Sequence, residues 1–256
     1  MSWLLLVDPA ASGARNMALD AALLESADAT GLHAIRLYAW NPGTLSFGRN
    51  EPATRRYDRD AIRAKNLATV RRPTGGRAVW HNREVTYAVA APSDTFGTLQ
   101  HSYREIHAML ADALRSLGAG VSLAAPRPSA AVGAGACFAS AAGGEVIAPD
   151  GRKVVGSAQV RSANAFLQHG SILLSADQDV VSAVTIGDAE PPSAAGLADL
   201  VDRDMAGWDA VSDAVARAAA RRWGTMEKDS PAPDAVLERA SVLEDQFADD
   251  AWTWRR

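Results

Sequence analysis

Between Thr98 and Leu117 the apolar residues Leu99, Tyr103, Ile106, Leu110, Leu114 and Leu117 recur at intervals of three and four. That spacing keeps one face of an α-helix apolar, so it predicts a core helix near the middle of the chain. The flanking segments follow the strand pattern instead. Ahead of it, "AIRLYAW" and "TLSFG" surround an "NPG" turn and suggest a hairpin, and "YDRDAIRAKN" reads as a short polar helix leading into "TVRR". "AVWH" and "EVTYAVAA" continue as strands, the second with Val85, Tyr87 and Val89 on one face. Beyond the helix, "GEVIA", "KVVGSAQV" and "FLQHGSILL", punctuated by "PDG", suggest a three-stranded antiparallel meander. Helical spacing returns at both ends: in "NMALDAALLESA", and after Ser175 in "AAGLADLV", at Trp208, Val211, Val215 and Ala219, and in "PDAVLERASVLEDQFADDAW". With no compositional linker and no repeat, the reading is one α+β domain over 1–256 with a helical C-terminal portion from about 178.

Charge and cysteine usage narrow the partners. A net charge of -4 builds in no general attraction for nucleic acid or anionic membrane. "RRYDR" and "RAAARR" read as solvated helix faces, without the aromatic interleaving of a nucleic-acid surface. No apolar run approaches the roughly 20 residues that span a bilayer. "WLLLV" lacks a basic flank and meets Asp8 at once, unlike a signal peptide. These features suggest a cytoplasmic protein with neither nucleic-acid nor membrane partners. A single cysteine, Cys137, precludes an internal disulfide and a multi-thiolate zinc site.

Three segments could carry chemistry. In "VRRPTGGRAVWH", Pro73 sets a turn dihedral, Gly75 and Gly76 free the backbone, and Arg71, Arg72 and Arg77 bring donors suited to phosphate or carboxylate; an ordinary solvated turn fits equally well. Cys137 lies in "GAGACFAS", within a long small-residue loop from Ala124 to Gly144. It fits a buried apolar residue or a nucleophile, and the second role needs a partner that favours the thiolate. Lys153, one of three lysines against 23 arginines, opens a strand after "PDGR"; it fits that partner or a solvated strand end. His33, His101 and His107 read as surface residues. His81 and His169 sit beside glycine motifs and fit structural hydrogen bonding better than a general base or a metal site.

Taken in order, "RNMALDAALLE", "RLYAWNPGTLSFGRNEP", "VRRPTGGRAVWHNREVTYAV", "ACF", "GRKVVGSAQVR" and "LQHGSILL" resemble the cofactor transferase family of lipoate-protein ligases, octanoyltransferases and biotin-protein ligases. The resemblance covers roughly Asn16 to Leu174. Within the family it looks most like the cysteine octanoyltransferases that resemble lipoate ligase A. It implies a class II synthetase-like fold: a mixed, largely antiparallel sheet flanked by helices. It also implies that Cys137 takes octanoyl from acyl carrier protein as a thioester and passes it to a lysine of a lipoyl domain, such as that of the glycine cleavage H protein. Neither ATP, a metal nor another cofactor would be needed. In this scheme Lys153 supports the thiolate and the carbonyl oxygen. Arg72, Thr74, Gly75, Gly76, Arg77 and His81 line the acyl pocket, joined by Gly156, Ser157 and His169. "ASAAGGEVIAPDG" after "CF" departs from the aromatic or polar segment expected there. The same resemblance admits an ATP-dependent lipoate ligase, an octanoyl amidotransferase acting between lipoyl domains, and a non-catalytic acyl-binding protein.

Overall fold

The computed structural model describes residues 2–125, 138, 143–189, 191–228 and 232–256. The chain runs β1 (Trp3–Val7), α1 (Gly13–Thr30), β2 (Ala34–Tyr38), β3 (Thr44–Phe47), the short helices α2 (Ala53–Arg56) and α3 (Arg59–Ala64), β4 (Ala68–Arg71), β5 (Val79–His81) and β6 (Glu84–Pro92). It continues with α4 (Leu99–Ser116), β7 (Ser122–Leu123), β8 (Val146–Ile147), β9 (Val155–Arg161), β10 (Ala165–Leu173), α5 (Asp179–Ser182), α6 (Trp208–Trp223), β11 (Met226–Lys228), α7 (Asp234–Ala248) and α8 (Asp250–Thr253).

The main sheet has the order β11-β1-β2-β6-β10-β9, with β11, β1 and β2 parallel and the remaining neighbours antiparallel. Strand alternation sends Trp3, Leu5, Ile35, Leu37, Val85, Tyr87 and Val89 into the core beneath α4 and α6. Leu4, Leu6, Ala34, Tyr38, Ala88 and Ala90 go into the core beneath α1 and α7. Both faces are covered, which is why these strands read as continuous apolar runs. A smaller sheet, β4-β3-β5, stands beside the main one and carries the arginine and glycine corner between its strands.

The α4 stripe behaves as its spacing predicts. Thr98 caps the first turn through its side chain, and Ile106, Leu110 and Leu114 are fully buried. The helix of "NMALDAALLESA" is longer than its stripe: Ser12 caps its start and Gly31, at φ +76°, ends it. Among the described residues no helix is long and apolar enough to cross a membrane.

The hairpin expected at Asn41–Gly43 does not form. β2 is buried at every position and already pairs with β1 on one side and β6 on the other. It therefore has no edge for β3, which pairs with β4 and β5 in the second sheet. The meander is also incomplete. β9 and β10 form the expected hairpin, and across the "PDG" turn the chain pairs antiparallel as expected but only through an isolated bridge between Ile147 and Lys153, while β8 takes β7 as its strand partner. The backbone of Lys153 is engaged by Ser193 and Ala195, so β9 begins only at Val155. "AAGLADLV" supports only a single 3-10 turn at Leu197–Asp199, and the C-terminal region contributes one strand, β11, to the sheet edge beside β1.

Candidate functional site

At the corner after β4, backbone geometry bears on one glycine of the pair. Gly76 has φ +94°, which disfavours other residues, and a Cβ there would meet the Arg72 guanidinium at 2.8 Å. Gly75 has no positive φ, and a side chain there would meet nothing within 4 Å, so the freedom expected of it is not required. The close approach falls instead on Gly48, after β3, where a Cβ would lie 2.0 Å from the Gly76 carbonyl oxygen. Gly48→Ala is therefore expected to displace the whole corner, costing roughly 1–3 kcal/mol as an overpacked site. Urea unfolding checks the stability, and acyl-ligand binding should weaken with it.

The arginines divide by role. Arg71 is fully buried, and its guanidinium donates to the carbonyls of Gly48, Glu51 and Thr253. It joins the corner to the C-terminus rather than offering donors to an anion. Arg72 donates to Gly75 O, Arg77 O, Ser46 O and Ser46 Oγ. Arg77 accepts through its carbonyl, and its side chain is half-buried.

Two hydroxyl–imidazole–carboxylate chains lie behind this corner. His169 Nδ1–H donates to Asp20 Oδ2 at 2.7 Å, and its Nε2 bonds the Thr74 hydroxyl at 2.6 Å. His81 Nδ1–H donates to Glu84 Oε1 at 2.8 Å, and its Nε2 bonds the Ser46 hydroxyl at 2.7 Å. Both ring nitrogens of each histidine are engaged within the protein, which favours the structural reading over a general base. Burial lowers the His169 pKa, against the opposing pull of Asp20. Burial would raise Asp20, but His169 and Arg36 outweigh it and hold the carboxyl below its ordinary 3.8.

A cleft opens between these chains and the β9–β10 hairpin. Met17, Tyr38, Trp40 and Val79 give it apolar walls, and Arg72, His81, Gly156, Ser157 and His169 also line it. Trp40 stacks on His81, with ring centroids 4.1 Å apart. Thr74, Gly75, Gly76 and Arg77 are not in its wall: Thr74 braces His169, and the other three shape the corner behind Arg72. The glycines on the hairpin are steric requirements, since a Cβ on Gly156 would meet the Phe138 ring at 2.6 Å and one on Gly170 would meet Gly156 O at 2.3 Å.

Lys153 is not a solvated strand end. Its side chain is 3 % exposed, its Nζ is 2.8 Å from Glu145 Oε1, and it lies 5.1 Å from the centre of the Phe138 ring. Cys137 lies outside the described residues, as does most of the loop expected from Ala124 to Gly144. Where that loop begins and ends, Gly144 N–H donates to Ala124 O, and Ala124 N–H donates to Glu145 O. Phe138, the next residue after Cys137, is buried against Val79, Leu173 and Ala194, and its carbonyl accepts from Ser193.

Sequence reasoning missed two participants. Asp20, among the apolar residues of α1, has no local signal of a role, yet it is fully buried and accepts from Arg36, Tyr38 and His169. His107 was expected at the surface but is fully buried, because its position four residues after Tyr103 faces β9, not solvent. Its Nδ1 bonds Gly144 O and its Nε2 bonds Ser157 Oγ, both at 2.8 Å. His33 is half-buried with its ring edge against Trp3, while His101 is exposed as expected. Among the described residues no group of His, Cys, Asp and Glu is arranged to hold a metal ion.

With this geometry established, comparison places the chain among known proteins. The model of the lipoyl protein ligase A/B catalytic domain matches residues 12–216. An octanoyltransferase LipM from Kyrpidia tusciae is 34% identical, the match covering 100% of this chain and 99% of that one. An octanoyltransferase LipM from Bacillus subtilis is 38% identical over 70% of this chain and 67% of its own length. Among solved structures, lipoate-protein ligase A bound with ATP superposes with a TM-score of 0.84 at 22% identity, covering 99% of each chain. A bi-partite lipoate protein ligase from Thermoplasma acidophilum superposes with a TM-score of 0.81 at 22% identity, over 99% of this chain and 96% of that one. These structural likenesses show the fold, a mixed sheet flanked by helices of the class II synthetase-like type expected from the sequence.

Proposed function

The chain belongs to the lipoyl protein ligase A/B catalytic domain family, and from that premise we propose that it is an octanoyltransferase of lipoate biosynthesis. The donor is octanoyl acyl carrier protein. The acceptor is a lysine of a lipoyl domain, such as that of the glycine cleavage H protein. The observation that carries this reading is the likeness to octanoyltransferases, which extends over the whole chain in one relative.

The chemistry runs in two steps. The Cys137 thiol gives up its proton and the thiolate attacks the thioester carbonyl; a new C–S bond forms, the old one breaks, and the carrier sulfur takes up that proton as it leaves. The neutral acceptor amine then attacks the octanoyl-Cys137 thioester. A C–N bond forms, the C–S bond breaks, and the proton lost from nitrogen goes to the departing sulfur. Splitting the transfer is ordinary covalent catalysis, and the downhill step to an amide needs no ATP. Lys153 stabilises the thiolate and donates to the oxygen that gains charge. Met17, Trp40 and Val79 give an acyl chain an apolar bed, with Arg72, His81, Gly156, Ser157 and His169 around it. Thr74, Gly75, Gly76 and Arg77 hold that wall from behind.

Intact-protein mass spectrometry after mixing with octanoyl acyl carrier protein, without ATP, tests the reading. One octanoyl adduct is expected on the wild type, removed by neutral hydroxylamine and absent from Cys137→Ala. Acceptor modification that requires free octanoate with Mg-ATP and survives Cys137→Ala would instead identify a ligase.

A further inference from the structure

The buried cation beside the Phe138 ring has a built environment of its own. Glu145 Oε1 accepts from Lys153 Nζ at 2.8 Å and from the Tyr103 hydroxyl at 3.1 Å, and the Lys153 and Glu145 side chains are 3 % and 5 % exposed. Tyr103 lies on α4, and one turn further His107 reaches the residue before Glu145, donating from Nδ1 to Gly144 O at 2.8 Å.

The direction of these bonds follows from their ends. A carbonyl oxygen only accepts, so Nδ1 carries the ring proton. Burial, assisted by the Lys153 charge, pushes the His107 pKa down to about 4, so the imidazole is neutral and Nε2 is an acceptor. Nε2 therefore receives the Ser157 hydroxyl, Ser157 receives the Tyr87 hydroxyl, and Tyr87 receives Gln168 Nε2–H. This chain of one-way bonds ties α4 to β9, β6 and β10 immediately ahead of Glu145. Just after β7, Ala124 N–H donates to the Glu145 carbonyl at 2.7 Å. The carboxylate is thus held from both its side chain and its backbone.

From this arrangement we infer that Glu145 is the positioning residue of the acyl transfer, keeping Lys153 charged and aimed, and that Tyr103 and His107 hold Glu145 in place. The inference rests on the proposed transfer, in which Lys153 acts on the thiol and the thioester oxygen. A lysine stem is flexible, and an ammonium has three N–H donors. A fixed carboxylate on one donor sets the directions of the other two. A buried ammonium without a carboxylate also gives up its proton more readily. Among the described residues, the charged and titratable groups near Lys153 include Glu145 ahead of β8, Tyr103 and His107 from α4, and Tyr87 from β6 beyond Ser157. Arg152, beside it in the chain, is paired with Asp150.

The test follows octanoyl-adduct formation from octanoyl acyl carrier protein in wild type, Glu145→Gln and Glu145→Asp, with thermal melts of each. Glu145→Gln should slow adduct formation by about 10- to 100-fold with little change in KM. Its deficit should widen from pH ~6 to pH ~9 as the unsupported ammonium loses its proton. Glu145→Asp should restore the wild-type pH profile and much of the rate. A Glu145→Gln rate equal to wild type, or lower by one factor at every pH, overturns the positioning role. If the wild type takes up no octanoyl, it is the transfer reading that fails.

Discussion

Lys153→Met should lower the rate of octanoyl-adduct formation by about 10²–10³-fold, the size of effect seen when a donor to developing negative charge is removed. Methionine matches the length of the stem and can still cover the Phe138 ring, so the change is mainly the loss of the ammonium. It also leaves Glu145 buried without its cation, which by itself costs stability. The two effects separate in Lys153→Met/Glu145→Gln, where the unpaired carboxylate is gone. Stability should largely return while the rate stays low. If both recovered, Lys153 would matter only as half of an ion pair. If Lys153→Met formed the adduct at the wild-type rate, its proposed part in the transfer would be wrong.

Asp20→Ala should cost about 3–5 kcal/mol of folding stability, the penalty typical of breaking a buried ion pair from one side. The carboxylate accepts from Arg36 at 2.9 Å, Tyr38 at 2.8 Å and His169 at 2.7 Å, and both Asp20 and Arg36 are fully buried. Three donors lose their acceptor together, one of them a guanidinium sealed under α1. A drop in urea midpoint at unchanged slope is the expected readout. Because His169 lines the cleft and braces Thr74, acyl binding should weaken as well.

The same buried groups set the pH profile of stability. Unfolded, an imidazole takes up a proton near its ordinary 6.5, whereas folded His107 does so only near 4. The unfolded chain therefore binds more protons, and stability falls as the pH drops from 6.5 towards 4, by about 3 kcal/mol for His107. His169 shifts in the same direction. Asp20, held below 3.8, adds stability above that pH and loses it below. Urea titrations across this range should show decline beginning on the histidine side, well before the carboxylates protonate. His107→Phe should flatten the first part of it.

Local spacing explains what was legible. The α4 stripe, the β9–β10 hairpin and the tight corner at Gly76 depend on residues within a turn or a strand of one another. Periodicity and turn chemistry report those distances directly. The hairpin between β2 and β3 was misread because a turn signal states that the chain reverses, not which edge is open to receive it. β2 had both edges filled by β1 and β6. Similarly, three residues of β11 say little alone; they form a strand because β1 offers them an edge.

By itself the sequence determined the mixed α+β character, the order of the motifs and the rarity of lysine that drew attention to Lys153. Only the tertiary structure decided which groups meet. Asp20 joins His169 across 149 positions, His107 turns inward to Ser157, and Glu145 closes on Lys153. Each pairing depends on burial, because a charge or imidazole withdrawn from water needs a partner, and the folded chain determines which one is within reach.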